Sequence, residues 1–226
     1  MEIGIEIVPS SLPRFLRSLS SIIGHADFIS LPECPFGRPL PSPLVFSVVA
    51  KSLGLEVIPN YRVMDRSELG FISEIMALSE VGIRRVVIVR GDLPSIGMPT
   101  SLNPVRAIEL VKEHGIDIEV GVATFTKPSD TLRAKIEAGA DFVVTQPIQD
   151  VGELSELIDF LGDIPLYTMI MPGLEDLDLS VLREMGLNEV RDVDYKALLR
   201  DISRTKVRGV IISSPKGISK ALEILR

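Results

Sequence analysis

Apolar residues along this chain cluster in eight short runs rich in β-branched side chains, and each run gives way to a stretch with helical apolar spacing. The first pattern marks a buried parallel strand and the second an amphipathic helix. The runs lie at about 2–8, 26–31, 55–60, 85–90, 117–123, 140–146, 164–170 and 207–213, and the last helical pattern covers about 216–226. Eight strand and helix pairs is the count of a parallel, closed (β/α)8 TIM barrel of the α/β class, expected here as one domain over 1–226. A doubly wound open sheet is the alternative. Its glycine fingerprint is missing after the first strand, where Val8-Pro9-Ser10-Ser11 stands.

Turn and cap residues punctuate this alternation. Ser10 or Ser11, Asp65, Asn103, and Ser129 or Asp130 stand where helices should start, and Gly24, Gly54, Gly82, Gly115 and Gly139 where helices should end. The stretch from about 174 to 205 is the least regular and reads as two short helices. Two long irregular segments follow strands: residues 32–43, with five prolines, read as a stiff lid or wall, and residues 93–103 as a flank for a cofactor.

In such barrels chemistry sits at the carboxyl ends of the strands. Val86-Val87-Ile88-Val89 runs into Arg90-Gly91-Asp92-Leu93-Pro94, which makes Asp92 a candidate. In the first strand Gly4, Glu6 and Val8 share one face and the isoleucines at 3, 5 and 7 the other, so Glu6 is expected inside the barrel. By the same parity Arg90 and Asp92 share a face, and Gln146 lies opposite Val143 and Thr145. Ordinary charges at frayed strand ends are the alternative for each residue alone, but three strand ends show the pattern.

Composition narrows the chemistry. The 226 residues carry 46% hydrophobic side chains, a net charge of -7 and a pI near 5.0, without the basic stripe that nucleic acid requires. The start Met1-Glu2 lacks a basic leader and no apolar run approaches the ~18 residues that span a bilayer, so a cytoplasmic protein is expected, with no membrane partner. Cys34 is alone, and His25 and His114 fall away from the strand ends, so no metal is expected. Ser213-Ser214-Pro215-Lys216-Gly217 follows the eighth strand, where it is read first as an ordinary serine cap and second as a phosphate site. Two carboxylates, an arginine and an amide can protonate, orient and stabilise charge. They cannot supply a hydride, so reductive chemistry here would need an organic cofactor.

Several of these segments resemble the methylenetetrahydrofolate reductase family. They are Ile5-Glu6-Ile7-Val8-Pro9, Gly54-Leu55-Glu56-Val57-Ile58-Pro59, Val81-Gly82-Ile83-Arg84-Arg85 leading to Arg90-Gly91-Asp92-Leu93-Pro94, and Lys135-Ile136-Glu137-Ala138-Gly139-Ala140-Asp141 leading to Thr145-Gln146. The resemblance implies reduction of the methylene one-carbon unit of a tetrahydrofolate-type pterin to methyl. It implies FAD as cofactor and NADH or NADPH as reductant. Glu6 would be the general acid, Asp92 would face flavin and substrate, and Gln146 would hold the pterin. Ser30, Asn60, Arg90, Gly91, Asp92, Gly121, Ala123 and Lys135 would contact the cofactor. Asn60, Pro32, Ala123 and Ala134 depart from the family's histidine, threonine, tyrosine and arginine, and these are cofactor positions, so FMN or no flavin is the alternative. A pterin-binding subunit served by a partner reductase is the second functional reading, and a homo-oligomer is compatible with either.

Overall fold

The computed structural model describes residues 1–215 and 217–226. Eight strands pair in chain order, all parallel, and the eighth closes on the first. They are β1 (Glu2–Glu6), β2 (Phe28–Leu31), β3 (Val57–Arg62), β4 (Arg85–Val89), β5 (Glu119–Thr124), β6 (Phe142–Pro147), β7 (Leu166–Ile170) and β8 (Gly209–Ile212). The helices around them are α1 (Leu12–Ile22), α2 (Pro43–Ser52), α3 (Glu68–Glu80), α4 (Pro104–Glu113), α5 (Asp130–Glu137), α6 (Ser155–Leu161), α7 (Leu179–Glu184), α8 (Tyr195–Ile202) and α9 (Ile218–Leu225). The expected TIM barrel is therefore present, and the irregular stretch holds the two short helices α7 and α8. Among the described residues no helix is long and apolar enough to cross a membrane.

Local chemistry explains most boundaries. Asn103 and Ser129 cap α4 and α5, accepting from the Arg106 and Leu132 amides at 3.1 Å each. Two expected caps are corrected. Ser67, not Asp65, caps α3, because Asp65 is drawn into an ion pair with Arg62. The residue at the start of α9 is Gly217, at φ 83, in place of the expected serine, and the Ser213 hydroxyl turns to Glu6. Lys216 lies outside the described residues.

Most of the core lies between strands and helices, where Ile5, Ile7, Val86, Ile88 and Val143 point outward. The bore holds a second cluster in which glycine and aromatic residues meet across strand pairs. Gly4 is in register with Phe28, Gly121 with Phe142, and Gly209 with Tyr167. A Cβ on these glycines would lie 2.4, 2.2 and 2.7 Å from the facing ring. Each ring thus fills space that its neighbour vacates. Tyr167 also meets Phe28 and Phe142 edge to face, at 5.8 and 5.5 Å between centroids.

Beneath this layer, at the amino-terminal end, Glu2 accepts from Arg85 at 2.8 Å, Arg208 at 2.8 Å and Tyr167 at 3.1 Å. The floor of the barrel is a closed ionic cluster.

Candidate functional site

Above the aromatic layer the strand ends surround a cavity of about 460 Å³, within the usual range for one small-molecule ligand. Glu6, Asn60, Arg90, Gly91, Asp92, Ala123 and Gln146 all line it. A larger cavity of about 920 Å³ opens among α7, α8 and α9. None of the expected site residues reaches it, so the chemistry is assigned to the smaller one.

Glu6 ends β1 on the inner face, as its parity requires. Val8 lies past the strand end and is 47% exposed, so the alternation that places Glu6 stops before it. Desolvation by the surrounding protein pushes the Glu6 carboxyl above its ordinary 4.5, and the hydrogen bond from Ser213, at 2.7 Å on Oε1, opposes this only in part. A carboxyl group so placed binds its proton more tightly than an exposed one. With Oε1 accepting from the Ser213 hydroxyl, Oε2 is the oxygen left to exchange a proton.

Gln146 faces the cavity through a bulge. Val144 pairs with Tyr167 and the next partners are Pro147 and Met169, so three steps on β6 answer two on β7. The Thr145 hydroxyl takes the Met169 amide at 3.2 Å and meets the Thr168 hydroxyl at 2.9 Å, which closes the gap. Met169 and Met171, on the same side of the mouth, give it an apolar wall.

Asp92 is reached differently. β4 ends at Val89, and Gly91 follows at φ 91, so the strand parity expected to place Asp92 does not extend to it. Loop contacts set its place: Oδ2 accepts from the Phe36 amide at 2.8 Å, where Phe36 itself sits at φ 56. Ser95 donates to the Gly37 carbonyl at 2.9 Å, and a Cβ on Gly37 would lie 2.0 Å from the Leu93 carbonyl oxygen. The proline-rich wall and the segment after β4 are thus docked on each other.

Three residues expected at a cofactor do not open onto the cavity. Ser30, beside Glu6 in register, is 1% exposed, and Gly121 lies under the Phe142 ring. Lys135 is half-buried, donates from Nζ to the Ala123 carbonyl at 2.9 Å, and burial lowers its pKa. The sequence pattern does not single out Arg62, 2% exposed on the inner face of β3, because the apolar run ends at residue 60, two residues short of the strand. Its charge, two residues beyond Asn60, was the available signal. Glu184 and Met185 at the rim come from the irregular stretch and had none.

A profile of the family described as Methylenetetrahydrofolate reductase matches residues 37–178, more than half of the chain. A 5,10-methylenetetrahydrofolate reductase of Pectobacterium carotovorum subsp. carotovorum is 27% identical over 140 residues, which is 58% of this chain and 47% of the relative. The chain therefore spans about half the length of that curated relative. Among solved structures, an uncharacterized protein from Clostridium thermocellum that binds two copies of 5-methyl-5,6,7,8-tetrahydrofolic acid has the same fold, with TM-score 0.71 and 14% identity over 99% of this chain and 92% of that one. A 2,3-dimethylmalate lyase of the PEP mutase/isocitrate lyase superfamily also shares the barrel, with TM-score 0.57 and 14% identity over 100% and 80% of the two chains.

Proposed function

The chain belongs to the methylenetetrahydrofolate reductase family, and from that premise we propose that it reduces the methylene one-carbon unit of a tetrahydrofolate-type pterin to methyl. The observation that carries this reading is Glu6, a carboxyl group placed at the inner end of a cavity sized for one ligand, where burial raises its pKa. The Gln146 amide, both donor and acceptor, suits the amide edge of a pterin ring.

In the proposed step the bond from the methylene carbon to N10 breaks, and the electron pair left on N10 takes the proton from Glu6 Oε2. The iminium so formed at N5 accepts a hydride from NADH or NADPH, giving the N5-methyl product and the oxidised nucleotide. Water then returns the proton to Glu6. Asp92 contributes a carboxylate at the rim that favours the cationic iminium over the neutral ring.

FAD is the cofactor that the family implies, and the side chains here do not fit a resident one. Lys135, which would take its phosphates, is committed to a backbone carbonyl; Ser30 and Gly121 are covered; and Ala123 offers no ring to stack on. The same commitment of Lys135 favours, as a second reading, a pterin-binding subunit whose hydride comes from a partner.

The two readings separate in one experiment. Purified protein is titrated calorimetrically with 5-methyltetrahydrofolate, FAD and FMN, and then mixed with methylenetetrahydrofolate and NADH or NADPH. Binding of the folate, weak flavin binding and formation of the methyl product support the first. Folate binding with no turnover until a flavoprotein reductase is added supports the second, and failure to bind the folate at all refutes both.

A further inference from the structure

The inner face of β3 ends in Asn60 and Arg62, and the chemistry above uses neither. Arg62 is a buried cation and must be satisfied on every side. Its Nε donates to Asp65 Oδ2 at 2.5 Å, its Nη2 to the Asp92 carbonyl at 2.7 Å, and its Nη1 to the Cys34 carbonyl at 3.4 Å. Those two carbonyls belong to different wall loops, one after β2 and one after β4. A single planar guanidinium therefore ties the roots of both loops to a strand end, a fork that an ammonium cannot reproduce.

The anchor is itself fixed. The Arg62 amide donates to Glu33 Oε2 at 2.7 Å, and Arg66 donates to both oxygens of Glu33, at 2.6 and 2.9 Å. On the other side, a Cβ on Gly91 would lie 2.5 Å from Arg62 Cζ and 2.6 Å from Nη1, at a φ that only glycine adopts freely. Gly91 is thus glycine for two reasons, and one of them is Arg62.

We infer that Arg62 is a positioning residue for Asp92: it holds the Asp92 backbone so that the carboxylate meets the Phe36 amide and stays at the rim of the site. The inference rests on the functional reading of Asp92 given above. Its structural half, however, can be measured without turnover.

The test follows hydrogen exchange at the Phe36 amide, which reports where the Asp92 carboxylate is, together with kcat and KM for methylenetetrahydrofolate reduction. In Arg62→Lys the Phe36 amide should exchange about tenfold faster or more. The catalytic loss should be about 100-fold, the scale of an ångström misplacement, and fall mainly on kcat with KM little changed. Gly91→Ala leaves every charge in place and carries the test if Arg62→Lys does not fold. It should free the same amide, and it should cost less when added to Arg62→Met than when made alone. Unchanged protection of Phe36 in either single variant, or strictly additive losses in the double variant, overturns the inference. If Asp92→Asn frees the Phe36 amide yet leaves reduction untouched, the positioning stands and it is the reading of Asp92 that fails.

Discussion

Glu2 and Glu6 lie on the inner face of one strand, four residues apart, and their carboxyl groups are pushed in opposite directions. Burial alone would raise both. At the floor, hydrogen bonds and charge from Arg85 and Arg208 outweigh burial and hold Glu2 below its ordinary 4.5. At the mouth, Glu6 has one hydroxyl partner and remains above it. What separates the two carboxyl groups here is therefore the set of partners across the bore. Neither the residue type nor the strand position makes the difference.

The sharpest way to break this contrast is to make each glutamate neutral. Glu6→Gln should keep the fold and lose folate reduction by a factor on the order of 10²–10⁴, the range for a general acid, as measured by methyl product formed per minute. A wild-type rate would reduce Glu6 to a buried polar residue of the barrel. Glu2→Gln should do the reverse, leaving reduction intact while stability to urea falls by about 1–3 kcal/mol, since charged hydrogen bonds at the floor are lost.

The layer between the two ends offers an intermediate effect. Gly121→Ala forces a methyl group onto the Phe142 ring and should cost about 1–3 kcal/mol in urea unfolding, with much of the loss recovered by adding Phe142→Leu. No recovery would mean that backbone freedom, rather than the ring, selects glycine there.

The smallest effect is in pH dependence, and the two ends differ in sign. Native Glu6 binds its proton more tightly than the unfolded chain does, so its contribution to stability falls as pH rises from about 4.5 through its raised value. Native Glu2 binds its proton less tightly, so its stabilisation is complete above about 4.5 and is lost as pH falls through its lowered value. Urea midpoints of the wild type, Glu6→Gln and Glu2→Gln across this range should show one slope removed in each variant. Reduction should likewise fade as pH climbs past the Glu6 value, and this limb should vanish in Glu6→Gln.

The barrel was legible in the sequence because a closed parallel sheet imposes period two inside each strand and a helix after it, and both are local patterns. Glu6 was placed by the same parity, whereas Gln146 reaches the cavity through a bulge that alternation alone does not show. Asp92 was identified for a sound reason but placed by the wrong rule, since Gly91 at positive φ ends the alternation and the carboxylate is held by Phe36 from a loop fifty-six residues away. Arg62, Ser213 and the docking of the two wall loops depend on contacts between distant segments, which no window of sequence displays. The glycine and aromatic pairs are intermediate: each residue is visible, but the register that joins Gly121 to Phe142 belongs to the closed sheet.

The bore below Glu6 is packed with buried rings and aliphatic side chains, and Glu6 itself lines the cavity at the mouth, so the mouth is the side from which solvent meets it. A ligand seated in the mouth covers that opening. The proton present at the moment of docking is then the one available for the whole encounter, and reloading waits until product departs. On the proposed reading the acid would behave as a single-shot reagent, with the acidity of the medium acting as a filter on which encounters go forward.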